Sequence, residues 1–216
     1  MPLGSSGLDL GEGMEKATMM KQIHLRQIKL WVVATMVAIG VMMTGVPIQA
    51  IQLADGTVYF AVPPRLVDAS ITRQSVADSN VAYYFDLAIP NDAGESLQQI
   101  EITQRDADLF TREVDFELDK SQAFVGRRRD RHQELGIGTT TYNEDTHTVT
   151  VTLDPPVLPG TELTLRLKAN RNPRRSGVYL FGVTAYPEGA IAHGQFLGFG
   201  RFHIYDNDHY HWRSLV

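Results

Sequence analysis

The chain contains no cysteine. Disulfides, thiolate nucleophiles, cysteine-ligated metals and a lipid-modified cysteine are therefore all excluded. Catalytic signatures are missing too. There is no G-x-S-x-G elbow, no H-E-x-x-H, no G-x-x-x-x-G-K-[ST] and no G-x-G-x-x-G between a strand and a helix. Asp106 and Asp108, or Asp115 and Glu117, stand two apart, which is the ordinary solvent-face spacing of a strand. No catalytic residue is assigned, and the chain reads as a non-enzyme. A surplus of basic charge is absent as well. The formal net charge is −5, and Ile51–Val216 holds 16 basic against 22 acidic residues. Such a domain is a poor non-specific ligand for nucleic acid or anionic lipid. No tandem repeat and no long amphipathic helical pattern is present.

One long hydrophobic run does exist. Lys16, Lys21, Arg26 and Lys29 precede Leu30–Val46, which is uncharged, and Pro47-Ile48-Gln49-Ala50 follows. Basic region, apolar core and small-residue cut form the order of a secretory signal. The run falls just short of the ~18–20 residues of a full membrane span, so a retained anchor is the alternative. The basic flank places the N-terminus on the cytoplasmic side in both cases. No Arg-Arg pair precedes the run, which points to a Sec-type route. Met14, Met19 and Met20 are alternative starts that would give a signal of more usual length. The expected organisation is an N-terminal extension with signal or anchor helix at 1–50, a folded domain at 51–206 and a His-rich polar tail at 207–216.

The folded part alternates with period two. Val81, Tyr83, Phe85, Leu87 and Ile89 share a face, as do Val149, Val151 and Leu153, and Leu163, Leu165 and Leu167. Thr57–Val62, Ala69–Gln74, Gln98–Thr103 and Val114–Leu118 read as further strands. Arg105–Thr111 reads as a short helix or turn, and Lys120–Gly138 as a long surface loop. Asp154-Pro155-Pro156 is expected to stop the strand that begins at His147. The richest stretch is Ser176–Tyr205. Its first segment puts Tyr179, Phe181, Val183 and Ala185 on one face and Val178, Leu180, Thr184 and Tyr186 on the other. Its second puts Phe196, Phe202 and Ile204 opposite Leu197, Phe199 and Tyr205. Both faces are mostly apolar, which predicts cover on both sides. Phe199 and Phe202 are expected in the core with Tyr83, Phe85, Tyr179 and Phe181. Gly182, Gly198 and Gly200 mark bulges, bends or close approaches. The fold class is all-β, an antiparallel β-sandwich of Ig-like type with about nine short strands at roughly 8–20-residue spacing.

Three stretches carry a resemblance. They are GTVYFAVPPRLVDA, YYFDLAIPNDAGESLQQIEITQ and NPRRSGVYLFGVTAYPEGAIAHGQFLGFGRFHIYD. Together they resemble an exported cyanobacterial family known only as a domain of unknown function. The resemblance covers most of Gly56–Asp206 and implies an extracytoplasmic setting: periplasm, outer envelope or thylakoid lumen. It implies no activity and stops before the His-rich end.

Two clusters are candidate sites. Arg127, Arg128, Arg129 and Arg131 form one, and Arg171, Arg174 and Arg175 the other. Arginines in loops suit bidentate contact with a phosphate, a sulfate or an acidic partner; a solvated loop neutralised by Asp130 and Glu134 is the bland alternative. At the C-terminus His203, Asp206, His209 and His211, which His193 could join from the connector, suggest Cu, Zn or Ni binding. No other cofactor is expected. The resulting reading is an exported interaction or structural module with a protein partner in the envelope or lumen. It has no nucleic-acid partner, and it touches membrane only through an uncleaved Leu30–Val46. A periplasmic metal-binding protein and a hydrolase without a recognisable motif are the alternatives.

Overall fold

Along Glu162–Arg171 every second residue is apolar, and Leu163, Leu165, Leu167 and Ala169 are all completely buried. The same alternation buries Val149, Val151 and Leu153 of one strand and Tyr179, Phe181, Val183 and Ala185 of another. A face of this kind must pack on another, and two sheets meeting face to face are the simplest solution. The computed structural model describes residues 51–52, 55–105, 113–130 and 132–206. They all belong to one compact unit, Ile48–Val216. The expected signal or anchor segment, Asp106–Thr111, Arg131 and the tail from Asn207 lie outside the described residues.

The strands in chain order are β1 (Ile51–Gln52), β2 (Thr57–Tyr59), β3 (Arg65–Ile71), β4 (Ser79–Ala88), β5 (Leu97–Gln104), β6 (Asp115–Phe116), β7 (Gln122–Val125) and β8 (Glu134–Leu135). Then follow β9 (Ile137–Asn143), β10 (Thr148–Val157), β11 (Glu162–Arg171), β12 (Gly177–Pro187), β13 (Ile191–Ala192) and β14 (Gln195–Ile204). One sheet has the order β14-β12-β5-β10-β9. The other has the order β3-β4-β11-β7-β8, with β6 also paired to β11. A small sheet, β1-β2-β13, contains the parallel pair β2–β13; every pair within the two large sheets is antiparallel. The all-β sandwich expected from the alternation is the fold observed.

The core is aromatic at its centre. Tyr83, Phe85, Phe181 and Phe202 meet edge-to-face or tilted, with ring centroids 5.0–6.3 Å apart. Burying a side chain of this size contributes about 1.5–3 kcal/mol, and the T-shaped geometry adds to it.

Several expectations are corrected. The stretch Lys120–Gly138 is not one loop but holds the β7–β8 hairpin. Asp154-Pro155-Pro156 does not stop its strand: β10 runs on to Val157 through a register shift, with a cis peptide at Asp154–Pro155. The strand expected over Val114–Leu118 is only β6, and Leu118 opens a 3-10 turn that ends at Lys120. The strand placed at Ala69–Gln74 lies earlier, at Arg65–Ile71. Thr139, Thr140 and Thr141 form the middle of β9, a strand whose polar, threonine-rich run gave no apolar alternation. Phe199 is not in the core. It is 47% exposed, and Phe196 is 56% exposed. Gly198 sits at φ +130°, where the β12–β14 register shifts by one residue. A bulge of this type reverses the faces on either side of it. Phe196 therefore joins Phe199 on the outside, and both faces of Ser176–Tyr205 are not covered as expected.

Candidate functional site

Between the end of β11 at Arg171 and the start of β12 at Gly177 lies the loop Asn172–Ser176, whose base is fixed and whose tip is charged. Asn172 is 2% exposed. Its Nδ2 donates to the carbonyls of Arg73 (3.0 Å) and Ser75 (2.9 Å), and its Oδ1 accepts the Tyr83 hydroxyl at 2.8 Å. Burial pushes the Tyr83 phenol far above the ordinary tyrosine range, so it is held as a donor. On the other side of the loop the Tyr179 hydroxyl donates to the Arg175 carbonyl at 2.5 Å. Two buried side chains thus fix the backbone from which Arg171, Arg174 and Arg175 project into solvent. Among the described residues the three guanidinium groups have no ion pair, hydrogen bond or ring contact.

Beside this loop lies a cleft of about 620 Å³ between the sheet edges. Its polar lining is Asn170, Arg171, Arg174, Glu113, Asp115, Tyr142 and Glu144, with Asp115 directly opposite Arg171 in the β6–β11 pair and accepting Asn170 Nδ2 at 3.3 Å; Val114, Phe116 and Leu118 are its apolar part. The volume lies within the range of small-ligand sites. The Tyr142 hydroxyl donates to Glu113 Oε1 at 2.7 Å and lies 3.2 Å from His147 Nδ1. Burial, then the Glu113 carboxylate, raises the Tyr142 phenol, so it acts as a proton donor in a hydrogen bond and not as a base. His147 has φ +49° and closes the β9–β10 hairpin in the left-handed region. The arrangement presents hydrogen-bonding and charged groups of both signs, which suits binding.

The other arginine cluster is at the far end of the same strand. From Glu162 to Arg171 is nine residue steps, about 30 Å. The structure therefore does not bring the two clusters together. Arg127 makes a bidentate contact with Glu162, at 3.0 and 2.8 Å. Its hydrogen bond lowers the Glu162 carboxyl and raises the guanidinium. Arg128 lies 4.4 Å over the Tyr84 ring and donates to Ser70 Oγ at 2.9 Å, while its main-chain nitrogen faces buried Asp86. Arg129 is exposed. Of the candidate metal ligands, His203 is exposed and stacks with Tyr205 at 6.3 Å, and Asp206 ends the described chain. His193 stacks on Tyr59 at 4.5 Å. Among the described residues no group of three His, Asp or Glu is placed to hold a metal ion; His209 and His211 lie outside them.

Sequence reasoning reached Arg171, Arg174 and Arg175 by composition but missed Asn172, Glu113, Tyr142 and His147. The Asn-Pro step after a strand signals a turn, yet nothing local reveals that its asparagine is buried against Tyr83.

A model of the family described as "Protein of unknown function (DUF2808)" matches residues 57–204, and the chain belongs to that family. No curated protein matches the chain. Among solved structures, the C-terminal domain of the Streptococcus pyogenes antigen I/II-family protein AspA is similar over 63% of this chain and 46% of its own, at 13% identity and a TM-score of 0.39. The N-terminal domain of a Streptococcus gordonii adhesin is similar over 68% of this chain and 34% of its own, at 14% identity and a TM-score of 0.45. The collagen-binding domain of a Staphylococcus aureus adhesin is similar over 64% and 97%, at 10% identity and a TM-score of 0.34. The chain thus spans less than half the length of the first two.

Proposed function

We propose that this family member is an exported, non-enzymatic interaction module of a cyanobacterial envelope or thylakoid lumen, and that it holds an acidic partner protein through Arg171, Arg174 and Arg175. One observation carries the reading. These cations have no partner of their own among the described residues and stand on a loop whose backbone Asn172 and Tyr179 hold in place. An unpaired arginine on a fixed backbone has only its own side chain to order on binding, whereas Arg127 and Arg128 would first have to leave Glu162, Tyr84 and Ser70. Loops at a sandwich end are where such scaffolds carry recognition. The basic flank and apolar run before Ile51 support export.

The test is capture in cells. A tagged copy is crosslinked, and its neighbours are identified by mass spectrometry against an unrelated exported control. One near-stoichiometric envelope or lumenal partner is expected. The triple variant Arg171→Glu/Arg174→Glu/Arg175→Glu should lose it with the fold intact by circular dichroism. Unchanged capture by that variant removes the loop from the reading.

A further inference from the structure

The outer face of the β14-β12-β5 half of its sheet departs from what solvent normally meets. Along β14, Phe196, Phe199, Arg201 and His203 are exposed, and Tyr205 continues the row at 56%. The two phenylalanine rings are 5.0 Å apart and meet edge to face at 67°. Gly182 of β12 makes this posture available: a Cβ there would stand 3.3 Å from the Phe196 ring and 3.5 Å from that of Phe199. Arg105 places its guanidinium 5.7 Å from the centre of the Phe199 ring. Further along the row, His203 and Tyr205 stack nearly parallel, at 14°. From Phe199 to Tyr205 the platform runs about 20 Å.

The cations of this face stand along the ring row, Arg105 against the Phe199 ring and Arg201 two residues further along β14. Among the described residues its carboxylates are Asp206 at the end of the row and Glu101 on β5, two strands away from β14, which accepts the Tyr186 hydroxyl at 2.6 Å and Gln99 Nε2 at 3.2 Å. Burial and that contact push the Tyr186 phenol up to about 12, so it stays a donor across the physiological range.

We propose that this face is a binding platform for an acidic polysaccharide. A sugar ring has a flat C–H face that complements the negative face of an aromatic ring. A uronate or sulfate on the polymer pairs with the cations Arg105 and Arg201. A linear chain of such units matches rings and cations spaced along β14, with Arg105 reaching Phe199 from the end of β5. A bilayer fits less well, because interfacial insertion of about 5–10 Å needs a broad apolar face, and here Thr184, Glu101 and Gln99 stand in the cross-strand rows beside the rings. A single-stranded nucleic acid also stacks on rings, but it needs a cation for most phosphates, and among the described residues the face has two arginines. The residues are separate from the Arg171–Arg175 loop, so each reading stands or falls alone.

The experiment measures retention of the full-length chain on alginate and dextran sulfate, with neutral dextran, phosphatidylglycerol vesicles and oligothymidine as the comparison probes. Binding to the acidic polysaccharides and none to neutral dextran is expected. Phe196→Ala and Phe199→Ala should each weaken it about tenfold, and Arg201→Gln about threefold or more. Arg129→Gln, the same charge change on the other sheet, should stay within twofold. Melting temperatures check that each variant is folded. No retention overturns the proposal. So does retention that the phenylalanine variants leave within twofold, since that is net electrostatics, and so does tighter binding to vesicles or oligothymidine.

Discussion

Replacing Asn172 with alanine is expected to be among the most damaging single changes in the domain. The side chain is 2% exposed and makes three hydrogen bonds, two to carbonyls of the 73–75 segment and one from the Tyr83 hydroxyl. The two bonds to carbonyls contribute about 1 kcal/mol each net, and the buried Tyr83 hydroxyl left without its acceptor costs about 1–3 kcal/mol. The expected loss is therefore about 4 kcal/mol, against a total that is typically about 5–15 kcal/mol for a domain. With a urea slope of about 2 kcal/mol/M, the midpoint should fall by about 2 M. Circular dichroism near 215 nm follows the transition. Tyr83→Phe supplies the internal control, because it removes the hydroxyl that the asparagine serves. If the account is right, the double variant costs at least about 1 kcal/mol less than the sum of the singles. A midpoint shift below about 0.5 M, or additivity within about 0.3 kcal/mol, would refute the clamp.

Three further outcomes follow from local geometry. Asn at position 147 should exceed Val there by about 1–2 kcal/mol in unfolding experiments, because φ is +49° and a branched Cβ opposes that conformation; equal stabilities would mean the hairpin relaxes. Burial and then Glu188 raise the Glu95 carboxyl above 4.5, so this group favours the folded state at low pH and its contribution falls as pH rises through the raised value. Glu95→Gln should accordingly raise the melting temperature at pH 7 and not at pH 3. Glu162 behaves in the opposite sense: Arg127 lowers its carboxyl below 4.5, so its contribution is present above that pH and is lost on acidification. Glu162→Gln should flatten the acid limb of the stability profile, and 1 M salt should reduce the difference.

The sheets were legible because their burial pattern is written with period two. Leu163, Leu165 and Leu167, or Val149 and Val151, fall inward in any register that buries one face. What local pattern does not carry is the neighbour across a sheet or across the core. β9 is a threonine run that becomes a strand by pairing with β10. The Pro-Pro after Asp154 looked like a terminator because a proline cannot donate to a ladder, yet the strand absorbs it at a register shift. Phe199 was misplaced by one residue of register: Gly198 marked a bulge, but counting through it with period two assigns every later side chain to the wrong side relative to Phe196. The Arg171, Arg174 and Arg175 cluster stood out by composition, and whether it is free or spent, as Arg127 is on Glu162, is a question of tertiary contacts only.

The two candidate surfaces share a physical logic that separates them from the core. Asn172 is a buried polar residue, His147 a non-glycine at positive φ, and Phe196 and Phe199 are exposed aromatics. Each departs from the local rule for a stable sandwich, and departures of this sort persist where something else is served. Asn172 serves order in the arginine loop, and it does so at full hydrogen-bonding capacity. The phenylalanines have no such return within the domain. Gly182 removes the one side chain that would have crowded them, and in doing so it gives up the strand stability that a β-branched residue would have brought to β12. A ligand that covers both rings would recover apolar burial that the domain alone leaves exposed. The ring platform is therefore the surface on which a partner has most to gain, and the arginine loop the one where it has least to reorganise.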